Sequence, residues 1–337
     1  MKVLHLKHCL LLFTYFTIGT LTLSGCRGAA EEDQITLYSG RNQHLLGPLL
    51  AQFTAETGIR VNTRYGGTAE LAATVLEEGR RSPADVYFAQ DAGALGALSG
   101  AGYFQELPPD LLHLVPSAFR SQQGLWVGTS GRARVLLYNT ERVQQHELPD
   151  DISDLTAPEW RDRLGWAPLN ASFQAFVTAL RVERGETAAR EWLEAMARNR
   201  PRSYARNTAI VQAVAAGEID AGLTNHYYLH TMEREQGVSL QARNYIPPQG
   251  TLINVAGVGI LRTTRKPAQA EQLVRFLLSE QAQRFFTDQT FEYPLVQGIA
   301  PNPALPQLDA MPVAERDLGL LEDLEGTLLL LQELEIL

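Results

Sequence analysis

Hydrophobic and polar positions alternate along the chain in blocks whose period switches between two residues and three to four. Apolar residues three to four apart predict helices, while short runs of β-branched and aromatic residues predict strands. Strands that alternate with helices at this spacing indicate βαβ units and a parallel sheet. In residues 35–102 the strand-like blocks are ITLYSG, RVNTRYG and ADVYFAQ, and the helix-like blocks are HLLGPLLAQFTAETG, TAELAATVLEEG and DAGALGALSGAG.

A second alternating series follows residue 132. It contains strand-like RVLLYNT and GWAPL, the helix-like stretch SFQAFVTALRVERG, a predicted helix over 208–216, a predicted strand over 219–223, and then strand-like TLINVAGVGIL. Two α/β series of similar size are typical of two lobes joined by a hinge, with a ligand bound at the strand ends. The sequence therefore predicts an α/β protein with an interlobe cleft.

The extended segments 132–137 and 254–260 are the predicted crossings between lobes. We assign 35–132 together with about 260–337 to the first lobe, and 133–259 to the second. Gly257 and Gly259 in the second crossing have two interpretations, either freedom for a hinge or close packing in a buried strand. The sequence does not choose between them.

The N-terminus has the pattern of an export signal: Lys2 and Lys7, an apolar run, and then Leu23-Ser24-Gly25-Cys26. The run is short and interrupted for a bilayer span, which disfavours a retained transmembrane helix. We predict a signal peptide over 1–25. Its ending resembles the bacterial lipobox, which implies a lipid-anchored Cys26 followed by a flexible tether over 26–34. The alternative is an ordinary cleaved signal in which the cysteine occurs by chance.

Composition and charge exclude several classes of protein and of site. The 337 residues are 45% hydrophobic and 20% charged, which excludes a disordered chain. The formal net charge is −9 and becomes −11 without Lys2 and Lys7, so we predict no nucleic-acid partner. The 2 cysteines, at positions 9 and 26, leave the exported domain without a disulfide or a thiolate metal site.

The candidate chemistry is concentrated in Asn225-His226-Tyr227-Tyr228, which follows a predicted strand and begins a helix. On a turn that enters a helix, adjacent phenol groups can converge on one point. Phenolate is an anionic oxygen donor that suits a hard trivalent cation, and a bound cation helps to deprotonate it. A Tyr-Tyr pair alone is more often simple aromatic packing. The pair is therefore a candidate ferric site that depends on its context.

That context is a set of motifs that occur in a fixed order. Together they closely resemble the bacterial ferric-iron-binding proteins of ABC transporters, over residues 35 to about 296. The segments that carry the resemblance are Tyr38-Ser39-Gly40-Arg41, Ser82-Pro83-Ala84-Asp85-Val86, Ser130-Gly131-Arg132-Ala133-Arg134, Tyr204-Ala205-Arg206-Asn207, Asn225-His226-Tyr227-Tyr228 and Glu292-Tyr293-Pro294-Leu295.

The resemblance implies a type II periplasmic-binding-protein fold that carries Fe³⁺ as cargo, with carbonate or phosphate as a synergistic anion. By position, Tyr227 and Tyr228 match the family's metal ligands. A helix N-terminus with free N–H groups favours such an anion independently of the resemblance. Arg132 matches an arginine near the anion, and its alternative role is an ordinary ion pair. The other anion-binding positions implied are Asn170, Ala171, Ser172, Asn207 and Asn225.

The first-lobe half of the site departs from the family pattern. Where the best-known members supply a His and a Glu, this chain has Asn42 and Gln90. Members with a third tyrosine after the anion loop have it where this chain has Phe173. A third protein ligand stays open, and two phenolates, a bidentate anion and water would complete an octahedral oxygen shell. The candidate first-lobe cleft contacts are Arg41, Asn42, Gln43, Tyr65, Gln90 and Asp91.

We therefore predict an exported, monomeric, lipid-anchored receptor, periplasmic or at the cell surface, that delivers ferric iron to an ABC permease and its ATPase. One alternative is a receptor of the same fold for an anion, polyamine or sugar. Another is a lipoprotein that senses iron. An enzyme is not predicted, because the chain has no Gly-x-Ser-x-Gly elbow and no HExxH zinc motif, and its histidines are scattered.

Overall fold

A computed structural model describes residues 34–308, 311 and 318–337. The predicted signal peptide, the lipidation position Cys26 and residues 26–33 of the predicted tether lie outside the described residues. Within them, ten strands form one continuous mixed sheet. The strands are β1 Gln34–Ser39, β2 Arg60–Tyr65, β3 Val86–Ala89, β4 Val127–Asn139, β5 Leu164–Trp166, β6 Arg202–Ser203, β7 Ala221–Asn225, β8 Ala242–Tyr245, β9 Ile253–Ile260 and β10 Tyr293–Pro294.

Eleven α-helices accompany the strands in the described part of the chain. They confirm the predicted alternation, including the long helix after GWAPL and the helix that begins at the tyrosine pair. The helices are α1 Gln43–Thr57, α2 Thr68–Glu78, α3 Ala92–Gly100, α4 Pro109–Leu112, α5 Ala171–Arg184, α6 Glu186–Arg198, α7 Asn207–Ala215, α8 Tyr227–Gln236, α9 Pro267–Leu277, α10 Glu280–Thr290 and α11 Leu324–Glu333.

The strand order is β2-β1-β3-β9-β4-β7-β5-β6, and β8 and β10 pair with β4 outside that path. Strands β1, β2 and β3 are parallel to one another, as are β5, β6 and β7. These two parallel groups are the two predicted α/β series. Because βα units join the strands within each group, the carboxyl ends of each group meet at one edge of the sheet.

Strand β4 connects the two groups. Its first half, from Val127 to Ala133, pairs with β9, and its second half, from Arg134 to Tyr138, pairs with β7. The change of partner falls inside the predicted crossing over 132–137. A single strand that passes between two groups holds them together while allowing a bend at the exchange point.

Strand β9 covers the predicted second crossing over 254–260. Its residues Gly257–Ile260 pair with β3 of the first group, and the lobe boundary at residue 259 stays a prediction. A Cβ added to Gly259 would lie 2.6 Å from the ring of Phe104, and one added to Gly257 would lie 2.8 Å from the carbonyl oxygen of Val127. These contacts favour the close-packing interpretation of the two glycines over the hinge interpretation.

The hydrophobic core consists of two clusters of buried residues. The larger cluster extends through both groups of strands and contains Phe88 of β3 and Phe173 of α5. A smaller cluster, which includes Leu137 and Ile210, lies beneath α7 and α8. The helix that carries the tyrosine pair is therefore anchored from below by Leu229, one of the buried residues of that smaller cluster.

The C-terminal segment contacts both groups. Residues Leu318–Glu322 pack against α3, where a Cβ on Gly96 would lie 2.3 Å from the carbonyl oxygen of Gly319. Helix α11 then packs against α5, and the hydroxyls of Thr327 and Thr178 are 2.7 Å apart. Helix α11 therefore contacts a helix of the second group, and the assignment of 260–337 to the first lobe stays a prediction.

Candidate metal centre

Tyr227 and Tyr228 are the first two residues of α8, directly after β7 ends at Asn225. Both side chains are partly exposed. Their ring centroids are 4.3 Å apart with an interplanar angle of 32°. Gly237, with φ of 66°, ends the helix in the left-handed region, which a glycine adopts without strain. The turn into the helix therefore brings the two phenol groups together, as the sequence predicted.

The electrostatic environment of Tyr227 opposes the loss of its phenol proton. Burial raises its pKa well above the ordinary value of a phenol, and the neighbouring Tyr228 adds to the increase. The positive charge of Arg132 acts in the opposite direction. Tyr227 is therefore protonated in the free protein at neutral pH, and a bound cation must supply the free energy that removes its proton.

A polar cluster lies at the beginning of α5. Asn170 caps the helix, and its Oδ1 accepts hydrogen bonds from the main-chain N–H of Ser172 at 3.0 Å and from the Ser172 hydroxyl at 2.5 Å. Asn207, the fully buried first residue of α7, donates to the Ser172 hydroxyl at 3.2 Å. Its own Oδ1 is buried without a hydrogen-bond partner. Ala171 is exposed beside them. The structure thus brings four of the predicted anion positions together.

Arg134 was not among the predicted site residues, although it lies at the centre of this cluster. Its guanidinium is buried and donates to the Asn225 side chain at 3.4 Å, to the Ser172 hydroxyl at 3.5 Å and to the Leu223 carbonyl at 2.9 Å. Burial lowers its pKa to about 9, while the two tyrosines act to raise it. One signal was available, because residues i and i+2 of a strand share a face, and Arg132 was already a candidate.

Arg132 is the second buried arginine of this region, with 3% of its side chain exposed. Its Nε has no hydrogen-bond partner. Its charge acts on Tyr227 and on Asp91, and it opposes the increase that burial causes in the pKa of Asp91. The ordinary ion-pair alternative for Arg132 is therefore weakened, because none of the salt bridges among the described residues includes it. A buried guanidinium in this condition favours an anionic ligand.

The first-group candidates lie where parallel strands end. Ser39 of β1 is in register with Tyr65 of β2 and with Phe88 of β3, so the residues that follow them share one edge. Burial raises the pKa of Tyr65. The main-chain N–H of Gln90 donates to the Thr68 hydroxyl at 3.2 Å. This edge carries the predicted cleft contacts.

Three of those candidates have local structural roles. Asn42 is exposed and caps α1 by accepting from the N–H of His44 at 2.9 Å, and Gln43 is the exposed first residue of that helix. Asp91 caps α3 by accepting from the N–H of Ala94 at 3.4 Å. A capping carboxylate or amide can also contact a ligand, so these roles leave the first-lobe contacts as predictions.

Arg41 forms a buried ion pair that was not predicted from the sequence. Its guanidinium pairs with the carboxylate of Glu292 at 2.9 Å, and both side chains are almost completely buried. The Ser130 hydroxyl donates to the same carboxylate at 2.5 Å. Glu292 follows α10 and precedes β10, which pairs with β4 at Ser130 and Gly131. The pair therefore connects the end of β1 to the middle of the crossing strand.

His226 precedes the tyrosine pair and is 2% exposed. Its Nδ1 accepts from the N–H of Ala133 at 3.1 Å, and its Nε2 lies 2.7 Å from the Phe291 carbonyl oxygen. Burial lowers its pKa to about 4. Both ring nitrogens of His226 are therefore engaged in hydrogen bonds within the protein. Across the described residues, no three His, Cys, Asp or Glu side chains form a metal-binding group.

The chain matches known proteins over most of its length. Residues 81–316 match the family described as bacterial extracellular solute-binding protein. The Fe(3+)-binding periplasmic protein of Serratia marcescens is 32% identical over 287 residues, which are 83% of this chain and 84% of that protein. The major ferric iron-binding protein of Neisseria meningitidis serogroup A is 34% identical over 301 residues, 84% of this chain and 89% of that protein.

The fold agrees with these matches. Iron-bound HitA from Pseudomonas aeruginosa superposes with a TM-score of 0.82 at 32% identity, covering 89% of this chain and 99% of that chain. The architecture is thus the two-lobed type II periplasmic-binding-protein fold, as predicted. The chain belongs to the bacterial extracellular solute-binding proteins. In the described part of the chain, no helix combines the length and apolar character needed to cross a bilayer.

Proposed function

We propose that this chain is an extracytoplasmic receptor that captures ferric iron in its interlobe cleft and delivers it to an ABC permease. The observation that carries the proposal is the Tyr227–Tyr228 pair, whose rings lie 4.3 Å apart at the start of α8. Two adjacent phenol oxygens form a hard anionic donor set once deprotonated. The relatives named for ferric iron binding in Serratia and Neisseria support the same cargo.

An anion completes the proposed site. Carbonate or phosphate at the start of α5 would face the Ser172 hydroxyl and the guanidinium of Arg134, with Arg132 nearby in the strand. A ferric ion with two phenolates keeps one positive charge, so a doubly charged anion makes the complex negative overall. Two buried guanidinium groups, neither of which forms a salt bridge with a carboxylate of the described residues, suit such a complex.

The proposed mechanism is capture followed by closure. The second-lobe tyrosines and the anion loop receive the metal, and groups at the ends of β1, β2 and β3 close over it. Closure requires contacts that form only in the closed state, because a ligand shifts an equilibrium only by its differential affinity. The closed form would dock on the permease, which its ATPase drives. Cys26 would keep the monomeric receptor at the membrane surface through a lipid anchor.

Ferric titration tests this proposal. Purified protein with bicarbonate or phosphate at neutral pH should develop a visible phenolate-to-iron charge-transfer band at one iron per chain. The substitutions Tyr227→Phe and Tyr228→Phe should each weaken the band and the binding. A band of unchanged intensity in both variants would refute the ligand assignment. Wild-type protein that stays colourless would refute the iron cargo.

The two buried arginines favour one alternative, a receptor of the same fold for an anion alone. Calorimetry with bicarbonate and phosphate in the absence of iron separates the two functions. The iron receptor should bind these anions weakly without Fe³⁺ and much more tightly with it. Tight anion binding that Fe³⁺ does not change would support the alternative. A third function, an iron sensor, would be supported if deletion of the gene for this protein abolished the cell's response to iron but left iron uptake intact.

A further inference from the structure

His226 connects three separate elements at the point where the tyrosine helix begins. Its main-chain N–H donates to the Ala133 carbonyl at 3.1 Å, and the Ala133 N–H donates back to the ring Nδ1 at 3.1 Å. Because Nδ1 accepts, the ring proton is on Nε2, which donates to the Phe291 carbonyl oxygen at 2.7 Å. The side chain thus links α8, the crossing strand β4 and the segment after α10.

The ring also makes contact with two aromatic groups. Its centroid lies 4.7 Å from that of Tyr293 in a tilted arrangement, and 5.8 Å from that of Tyr227 at 90°. Edge-to-face and tilted ring pairs of this kind restrict the rotation of both partners. The imidazole is therefore part of the wall that orients the Tyr227 phenol.

The hydrogen bond to Phe291 connects His226 to residues that contact the end of β1, in the first lobe. Phe291 ends α10 in the left-handed region, with φ of 54°, which holds its carbonyl in a defined direction. The next residue is Glu292, which pairs with Arg41 at 2.9 Å at the end of β1. A short covalent and hydrogen-bonded path thus runs from Tyr227 through His226 and Glu292 to Arg41.

We propose that His226 is a positioning residue that couples iron ligation by Tyr227 to the packing of the first lobe, through its bond to the Phe291 carbonyl. The inference rests on the proposed ferric function. In this arrangement the imidazole packs against the ring of Tyr227 and fixes its position, and it does not bind the metal. Loss of the Phe291 bond frees α8 from the segment that carries Glu292, so the liganded cleft opens more readily.

Two substitutions separate the two ring bonds. Asparagine carries its amide oxygen near the place of Nδ1, and glutamine carries its amide nitrogen near the place of Nε2. His226→Asn therefore retains an acceptor for Ala133 but loses the Phe291 bond. His226→Gln retains a donor for Phe291 but loses the Ala133 bond. Each variant lacks one buried hydrogen bond. The melting temperatures of the two iron-free variants should therefore be lowered by similar amounts.

The decisive measurement is iron release from each variant into excess chelator, followed by loss of the charge-transfer band. We expect His226→Asn to release iron about tenfold faster than wild type, as the loss of one hydrogen bond implies, and His226→Gln to stay near wild type. The exposed His146 provides the control His146→Asn, which should not change the rate. Equal rates for wild type and His226→Asn, or equally fast release from His226→Asn and His226→Gln, would overturn the proposal.

A double-mutant cycle tests the path from its far end. Glu292→Gln weakens the pair with Arg41 without changing the size of the side chain. If one path carries the coupling, the effects of His226→Asn and Glu292→Gln on release are not additive, whereas independent effects add and contradict the proposal. If His226→Asn does not fold, Glu292→Gln alone should still accelerate release, and an unchanged rate refutes the path. Wild-type protein that never binds iron refutes the proposed function instead.

Discussion

Arg41 and Glu292 are 251 residues apart in the chain, and their side chains form an ion pair from which solvent is almost entirely excluded. The pair joins the end of the first strand to the segment between α10 and β10. The Ser130 hydroxyl, on the crossing strand, donates to the same carboxylate. One carboxylate therefore holds together the end of β1, the segment between α10 and β10, and the strand β4 that runs between the lobes.

Removal of one partner from this pair should strongly destabilise the apo protein. Glu292→Ala leaves the guanidinium of Arg41 buried without its counter-charge, so we expect a loss of about 3–5 kcal/mol in the free energy of unfolding. Urea denaturation measures the loss. The control is Asp110→Asn, which breaks the exposed pair with Arg275 and should change stability by less than about 1 kcal/mol. Similar small losses in both variants would show that the buried pair has little energetic importance.

Arg134 should be required for the dependence of iron binding on the anion. Arg134→Gln removes a charged donor beside Ser172, so ferric affinity in bicarbonate or phosphate should fall about 10- to 100-fold. Isothermal titration with Fe³⁺ at several anion concentrations measures the change. Arg190→Gln is a matched control on an exposed helix face, where Arg190 pairs with Glu333. Unchanged anion dependence in Arg134→Gln would remove this residue from the site.

Iron affinity should decrease as the pH falls. Burial places the pKa of Tyr227 above its usual value, so the free protein holds the phenol proton at neutral pH, and binding must release it. With two phenols, the affinity should fall by up to about 100-fold for each unit of pH decrease. Competition with a chelator of known pH dependence, followed by the charge-transfer band, tests this from pH 8 to pH 6. An affinity that stays constant over this range would contradict phenolate ligation.

Alanine substitutions at two glycines should change the stability of the protein in opposite directions. Gly259→Ala would place a methyl group 2.6 Å from the ring of Phe104, so we expect a destabilisation of about 1–3 kcal/mol. Gly47→Ala, within α1, meets no atom closer than 3.9 Å, so it should stabilise the protein by about 0.5–1 kcal/mol. Thermal and urea unfolding measure both. A tolerated alanine at 259 would restore the hinge interpretation of that segment.

The local geometry of the second-lobe candidates could be predicted because these residues are close in sequence, and their role as ligands stays a prediction. Tyr227 and Tyr228 are adjacent and directly follow a strand, and Asn170 and Ser172 begin one helix. Both features depend only on nearby backbone geometry. The first-lobe contacts depend on where separate strands end, so Asn42, Gln90 and the other positions at that edge stay predictions. The lipid anchor at Cys26 stays one as well.

The periodicity of the chain by itself determined the α/β class, the alternating elements and the tyrosine turn, because helix and strand periods are set by neighbouring residues. Only the tertiary structure decided that β9 pairs with β3, that α11 packs on α5, and that Arg134, His226 and Glu292 are buried close to Tyr227. The physical reason is that burial and pairing of these groups depend on long-range contacts. No local pattern distinguishes a buried arginine or glutamate from the exposed ones that outnumber it.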